Sequence, residues 1–317
     1  MSAALCLQSC VTYSSLYLYL YLYFYLYLYL YFLSIFFTLS THTSPNKMSL
    51  PTIVLIPGAW HVPQHYALLI DSLTAAKYEV VSHQLPSVGS QTPREQSVAK
   101  DASYIEKFLL LPLLDAGKDV LLLMHSYGGC AGADAAKGLS KAERSGAGKK
   151  GGIIGLVFMC AFVATEGDSL LSKLPGQKYD PWVIQNVSFS SSCCDVISPL
   201  QNSTAQLTVD NPKDVFYNLV KEPEARRAIS LMETQSEPAF SSPSGPPAWS
   251  DSVYNDKRAY IQTTQDHAMT FVAQDAMVTY SGVEWDILKL DSGHSPFLSH
   301  TKDVAAFVVA KAKAYVG

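Results

Sequence analysis

The sequence predicts an α/β fold: a mostly parallel central sheet with helices on both faces and a helical insert after the central strands. Three observations predict it. From residue 51 onward, short apolar runs alternate with longer helix-like stretches. The rhythm breaks between about 165 and 255, where prolines, serines and short helical pieces intervene. It then resumes to the end of the chain. With 317 residues and 48 % hydrophobic content, the chain has ample material for one such domain with an insert.

The elements follow in order. "TIVLIP" (52–57) is a short strand of the buried type, and 63–77 a helix with Pro63 in its first turn. "YEVVSHQL" (78–85) is a second strand. Residues 95–114 carry apolar side chains at helical spacing, interrupted near Pro112. "DVLLLM" (119–124) is a third strand, and 127–144 a helix of small residues. "SGAGKKGG" (145–152) turns the chain into a central strand at 153–163. Inside the insert, 211–232 reads as helical and "SSPSGPPAW" (241–249) as a loop. Strand 258–263, helix 267–280, strand 283–290 and helix 302–315 complete the domain.

The first 47 residues stand apart. Residues 16–33 read "LYLYLYLYFYLYLYLYFL", a dipeptide repeat of low complexity. The favoured reading is a translated short-repeat segment upstream of a start at Met48, with 41–47 as linker. The alternative is a membrane anchor over the uncharged residues 16–39. The first 46 residues hold no Lys or Arg, so the basic start of a secretory signal is missing. The domain at 48–317 is therefore expected in the cytoplasm, or at a membrane if the anchor is real.

Composition narrows the function. A net charge of −4 with no long basic run argues against nucleic-acid binding. Six cysteines lack the CxxC spacing of a zinc site. Cys130 and Cys160 read as buried thiols, while Cys193 and Cys194 form a vicinal pair. A zinc site is therefore not expected.

The chemistry centres on "LLLMHSYGGC" (121–130). A serine hydroxyl is a weak nucleophile and needs a base, an orienting acid and an oxyanion trap. A strand–Ser–helix elbow pushes Oγ of Ser126 out of the sheet, with a helix N-terminus behind it. The elbow pattern G-x-S-x-G keeps its second glycine, Gly128, but Met124 replaces the first. Downstream, "DSGHSPFLS" (291–299) places His294 in a loop after a strand, and "AYIQTTQDHAMT" (259–270) places Asp266 after another. Ser126, Asp266 and His294 thus stand at successive strand ends in nucleophile–acid–base order. Asp291 and Asp168 are rival acids, and Asp266 also reads as a helix N-cap. The oxyanion is expected on the backbone N–H of Tyr127 and of Ala59, the latter in "IPGAW" (56–60). Trp60, His61 and Trp182 are candidate pocket residues. His125 is expected to pack beside the elbow, and Phe189 within the core.

Four stretches, "IPGAWHVPQHY", "MHSYGG", "FMCAFV" and "YIQTTQD" with "SGHSPF", resemble the α/β-hydrolase superfamily. More narrowly, they are similar to the plant methylesterase and hydroxynitrile lyase family and its microbial relatives. The likeness spans roughly residues 51–315 and is weak in the insert. It implies the α/β-hydrolase fold with a lid at about 165–255. It also implies Ser126 as nucleophile, His294 as general base and acid, and Asp266 as the group orienting it. It implies neither a metal nor an organic cofactor. Ser295 stands where the lyase branch has a lysine, and Ala59 where it has a threonine; both favour hydrolysis. The expected substrate is an ester or thioester of a small, fairly apolar metabolite, in specialised metabolism. The alternatives are a non-catalytic ligand receptor on the same fold, or a lyase acting on cyanohydrins.

Overall fold

The computed structural model describes residues 21, 23–31, 50–187 and 203–316. The chain divides into two compact units, Met1–Ser49 and Leu50–Gly317. In the first, residues 21 and 23–31 are helical. Most of the proposed span at 16–39 lies outside the described residues. Among those described, no helix is long and apolar enough to cross a membrane.

The second unit holds nine strands among the described residues: β1 (Thr52–Ile56), β2 (Val80–Val81), β3 (Val120–His125), β4 (Ile153–Met159), β5 (Val183–Val187), β6 (Ser203–Val209), β7 (Gln235–Ser236), β8 (Arg258–Thr263) and β9 (Asp286–Leu290). Six of them form a fully parallel sheet in the order β2-β1-β3-β4-β8-β9. β1, β3 and β4 are buried along their whole length. Their side chains alternate between two apolar layers: Val54, Ile56, Leu122 and Met124 on one face, Ile53, Leu55, Leu121 and Leu123 on the other. Burial on both faces is why these strands read as unbroken apolar runs.

Several elements are shorter than the sequence suggests. The strand expected at 78–85 is reduced to Val80–Val81 at the sheet edge. The helix expected at 63–77 begins with a tight 3₁₀ turn, Pro63–Tyr66, before the α-helix Ala67–Ala75. Around Pro112 the chain passes from α-helix (Val98–Tyr104) through a π-helical stretch (Ile105–Leu110) back to α-helix (Leu111–Asp115). The single helix expected at 127–144 is two, Gly128–Ala135 and Lys141–Gly146. Gly138, at φ +74°, turns the chain between them, and a Ser140–Glu143 capping box starts the second.

The insert between β4 and β8 corrects the expectation of a purely helical lid. It contains an antiparallel sheet, β5-β6-β7, beside short helices at Pro212–Val215 and Glu222–Ser230. The vicinal pair Cys193–Cys194 and Phe189 lie outside the described residues. Cys130 and Cys160 are free and buried.

Candidate active site

β3 carries the chain into a sharp turn at Ser126. Its φ of +52° is a left-handed conformation that non-glycine residues rarely adopt, and it lifts the side chain off the sheet. The helix Gly128–Ala135 then departs at once. It runs so close to β1 that a Cβ on Gly128 would meet the carbonyl oxygens of Pro57 and Ile56 at 2.7 and 2.8 Å. The missing first glycine of the elbow is compensated one turn further on. A Cβ on Gly132 would lie 2.7 Å from Met124 Sδ, so the absent side chain at 132 is the room Met124 occupies.

Ser126, His294 and Asp266 meet in one hydrogen-bonded chain. The Ser126 hydroxyl donates to His294 Nε2 at 3.0 Å, and His294 Nδ1–H donates to Asp266 Oδ2 at 2.8 Å. His294 and Asp266 are 1 % and 4 % exposed, so water does not compete for this pair. Asp266 is held from several sides. Its Oδ1 accepts the N–H groups of Ala268 and Met269 within a turn. It is not the helix N-cap its position suggested, because the helix begins only at Phe271 and Thr270 caps it. Its Oδ2 also accepts Thr263 Oγ1–H at 2.9 Å and Gln274 Nε2–H at 3.2 Å. The rival acids lie elsewhere. Asp291 is exposed and accepts from Thr264 and Gln265. Asp168 pairs with Thr165 and Lys173.

The loop after β1 leaves one donor singled out. The Gly58 N–H goes to Tyr66 Oη, Trp60 N–H to Gln235 Oε1, His61 N–H to the Gly58 carbonyl and Val62 N–H to His65 Nδ1. Among the described residues, the N–H groups of Ala59 and Tyr127 have no acceptor. Both residues line the same cavity as Ser126 and His294.

That cavity is walled mainly by aromatic and aliphatic side chains. Trp60 packs against Trp182, Phe216 and Phe240 with ring centroids 5.8, 5.5 and 5.3 Å away. Asp180 is the wall's carboxylate, and burial raises it above the usual range. Trp60 and Trp182 are thus on the wall, as expected, but His61 is not. It lies behind the wall at 1 % exposure, between the Ala59 carbonyl (2.7 Å) and Tyr217 Oη (3.0 Å).

His125 points away from Ser126 Oγ. Its Nε2–H donates to the His294 carbonyl at 3.0 Å, and its Nδ1 accepts from Tyr66 Oη at 2.7 Å. One network therefore ties the loop after β1, the end of β3 and the His294 loop together. Burial holds His125 well below the ordinary histidine range, which keeps it neutral in that network. His125, Cys160 and His294 also cluster closely enough to resemble a metal triad. Both ring nitrogens of each histidine already serve the hydrogen bonds above.

Tyr66, Tyr217, Gln235 and Gln274 are part of this site and were missed from sequence. Tyr66, Tyr217 and Gln235 contribute through contacts distant along the chain. Gln274 lies within 11 residues of its partners, but only the folded turn brings them together. Asp101 was missed likewise: it accepts from Tyr127 Oη at 2.7 Å and from both the N–H and hydroxyl of Ser87.

A six-stranded parallel sheet with a serine elbow after β3, an acid after β8 and a histidine after β9 defines a class. The chain belongs to the alpha/beta hydrolase family, whose sequence profile matches residues 53–307. It is 30 % identical over 253 residues to the alpha/beta hydrolase nvfD of Aspergillus novofumigatus, covering 80 % of this chain and 93 % of that one. Among solved structures, the methylesterase MES16 from Arabidopsis superposes with a TM-score of 0.61 at 17 % identity, covering 82 % of this chain and 98 % of its own. A polyneuridine aldehyde esterase superposes with 0.63 at 15 %, again covering 82 % and 98 %. At these identities the structural likeness speaks for the fold.

Proposed function

We propose that this hydrolase is a serine esterase or thioesterase acting on a small, fairly apolar metabolite. The observation that carries the reading is the continuous chain Ser126–His294–Asp266, at 3.0 and 2.8 Å, at the wall of an apolar cavity. The methylesterase and esterase among its structural neighbours support the ester class.

In this mechanism His294 Nε2 takes the Ser126 proton as Oγ attacks the substrate carbonyl carbon. Asp266 holds the imidazole with Nδ1–H turned towards it and stabilises the imidazolium that forms. The carbonyl π electrons move to oxygen, and the oxyanion sits on the N–H groups of Ala59 and Tyr127. Collapse of the intermediate expels the alcohol or thiol, which takes its proton from His294. A water then repeats the sequence on the acyl-enzyme, and the free acid leaves with Ser126 restored. No step calls on a metal or an organic cofactor. Ser295 and Ala59 at the two positions that mark the lyase branch support hydrolysis over C–C cleavage. The catalytic domain is residues 48–317 with the lid at about 165–255, and we place it in the cytoplasm and in specialised metabolism as part of the same proposal.

A fluorophosphonate probe tests the reading on the full chain. One adduct is expected, on the peptide containing Ser126, and it is lost in Ser126→Ala and reduced at least about a hundredfold in rate in His294→Ala. Folded wild-type protein that takes no adduct and turns over no ester would overturn it and bring the ligand-receptor alternative forward. Fractionation of tagged full-length protein tests the location.

A further inference from the structure

The segment Gly58–His65 is held by the lid at five points. Trp60 donates its indole N–H to the Leu207 carbonyl (3.0 Å) and its backbone N–H to Gln235 Oε1 (3.4 Å). Its carbonyl accepts the Glu233 N–H at 3.1 Å. Tyr217 Oη donates to His61 Nε2 at 3.0 Å, and His65 Nε2 meets the Ala228 carbonyl at 3.0 Å. Gln235, Tyr217 and His61 are 0 %, 0 % and 1 % exposed. Trp60 has φ +61°, a conformation unfavourable for a bulky residue that persists only when its surroundings impose it.

These bonds fix the Ala59–Trp60 peptide and His61, and through them the Gly58–Ala59 peptide that carries the Ala59 N–H. A peptide's N–H and C=O face opposite ways, so fixing one fixes the other. The Gly58 carbonyl accepts from His61 N–H at 3.3 Å, which turns the Ala59 N–H away from it. The Ala59 carbonyl accepts from His61 Nδ1 at 2.7 Å, and the N–H at the other end of that peptide is held by Gln235. His61 can donate from Nδ1 only while its Nε2 is the acceptor, and Tyr217 supplies the donor that keeps it so. We propose that the lid, through Tyr217 and Gln235, positions the Ala59 N–H and is thus a working part of the oxyanion site rather than only a cover for substrate. The proposal rests on the serine-hydrolase reading. Tyr217, Gln235 and His61 are positioning residues, since each acts through the loop.

The test uses the full chain with Tyr217→Phe, Gln235→Leu and Gln235→Glu, on a small neutral aryl ester and on the fluorophosphonate probe. Tyr217→Phe and Gln235→Leu are expected to lower kcat and the maximal probe rate by about 10- to 100-fold, with KM within about threefold, because a misdirected oxyanion donor is felt in the transition state. Gln235→Glu restores an acceptor for the Trp60 N–H and recovers most of that loss. In Tyr217→Phe, ¹⁵N NMR of His61 is expected to show Nε2 without its hydrogen bond, while the Ala59 carbonyl keeps the proton on Nδ1. A rise in KM at constant kcat, or no change in either, would overturn the proposal and leave the lid as a substrate wall. If Gln235→Leu does not fold, Tyr217→Phe and the Glu variant carry the test. If wild-type Ser126 takes no probe and turns over no ester, the hydrolase reading fails, and the change in the His61 Nε2 resonance between wild type and Tyr217→Phe still decides whether the lid grips the loop.

Discussion

Position 124 shows how one substitution in a motif is absorbed by its neighbour. A glycine before the nucleophilic serine leaves room for packing behind the elbow; a methionine fills it. The fully buried Met124 takes its space from Gly132, one turn into the following helix. Methionine suits this because its unbranched chain adapts to an irregular gap. Gly132→Val is expected to overpack the site and cost about 1–3 kcal/mol of stability in urea unfolding. Met124→Ala alone leaves a cavity and costs about 2–5 kcal/mol. Combined, the two cost clearly less than their sum, because each removes the other's problem. A strictly additive pair would show that 124 and 132 do not share one space.

At the scale of elements, the helix Phe271–Tyr280 has one task beyond covering β8. Gln274 turns inward from it, donates to Asp266 Oδ2, the Met269 carbonyl (2.7 Å) and Thr263 Oγ1 (2.9 Å), and accepts the Thr263 N–H (3.0 Å). It braces the Asp266 turn against the end of β8. Gln274→Leu keeps the volume and strips those partners. We expect about 1–3 kcal/mol of lost stability from buried groups left unpaired, and kcat lower by about tenfold or more as the acid loses its fixed orientation. An unchanged kcat in a folded variant would show that the backbone N–H groups of Ala268 and Met269 suffice. The lid is the element where sequence reasoning fell short. "VIQNV" and "STAQLTV" are short and mix polar with apolar side chains, as half-exposed strands do, and prolines nearby suggested broken helices. Strand pairing across the insert, from 183–187 to 203–209 to 235–236, is a long-range property that no window of sequence displays.

Across the whole molecule, four buried histidines run from the lid to the site: His65, His61, His125 and His294, with successive ring centroids 4.6, 5.6 and 4.8 Å apart. Burial pushes His65 down to about 4, and holds His61 and His125 well below the ordinary range. The unfolded chain takes up protons at these sites below about pH 6.5, while the folded chain refuses them. Their contribution is therefore fully present above pH 6.5 and is lost as pH falls, down to about 4 in the case of His65. Asp101 and Asp134, each raised to about 6 by burial, work in the opposite direction. They bind protons in the fold before the unfolded chain does, and add stability as pH falls through 6. Burial raises Asp180 in the same sense. The histidines start to lose their contribution at about pH 6.5, before Asp101 and Asp134 gain theirs below about 6, so Tm is expected to fall by several degrees between pH 7 and pH 5. Asp101→Asn removes one opposing group and steepens the fall. A Tm that is flat or rises towards pH 5 would show that the carboxyls dominate.

By itself, the sequence determined the sheet core and singled out the candidate residues that the structure brings together. Both are local: a strand buried on two faces must be apolar throughout, and an elbow or a strand-end histidine announces itself within ten residues. Ser126, Asp266 and His294 were candidates for that reason, and the fold joins them in one hydrogen-bonded chain; their roles belong to the proposal. Tertiary structure alone decided what supports them. Only in the fold does His125 join Tyr66 to the His294 loop, do Tyr217 and Gln235 reach the loop after β1, and does His61 turn out to serve that loop behind the pocket instead of its wall. Hydrogen bonds form between residues up to 175 positions apart, as with Trp60 and Gln235, and ring packing reaches further still, as with Tyr66 and Phe297. Their partners are chosen by where the folded chain brings them, which no single stretch of residues encodes.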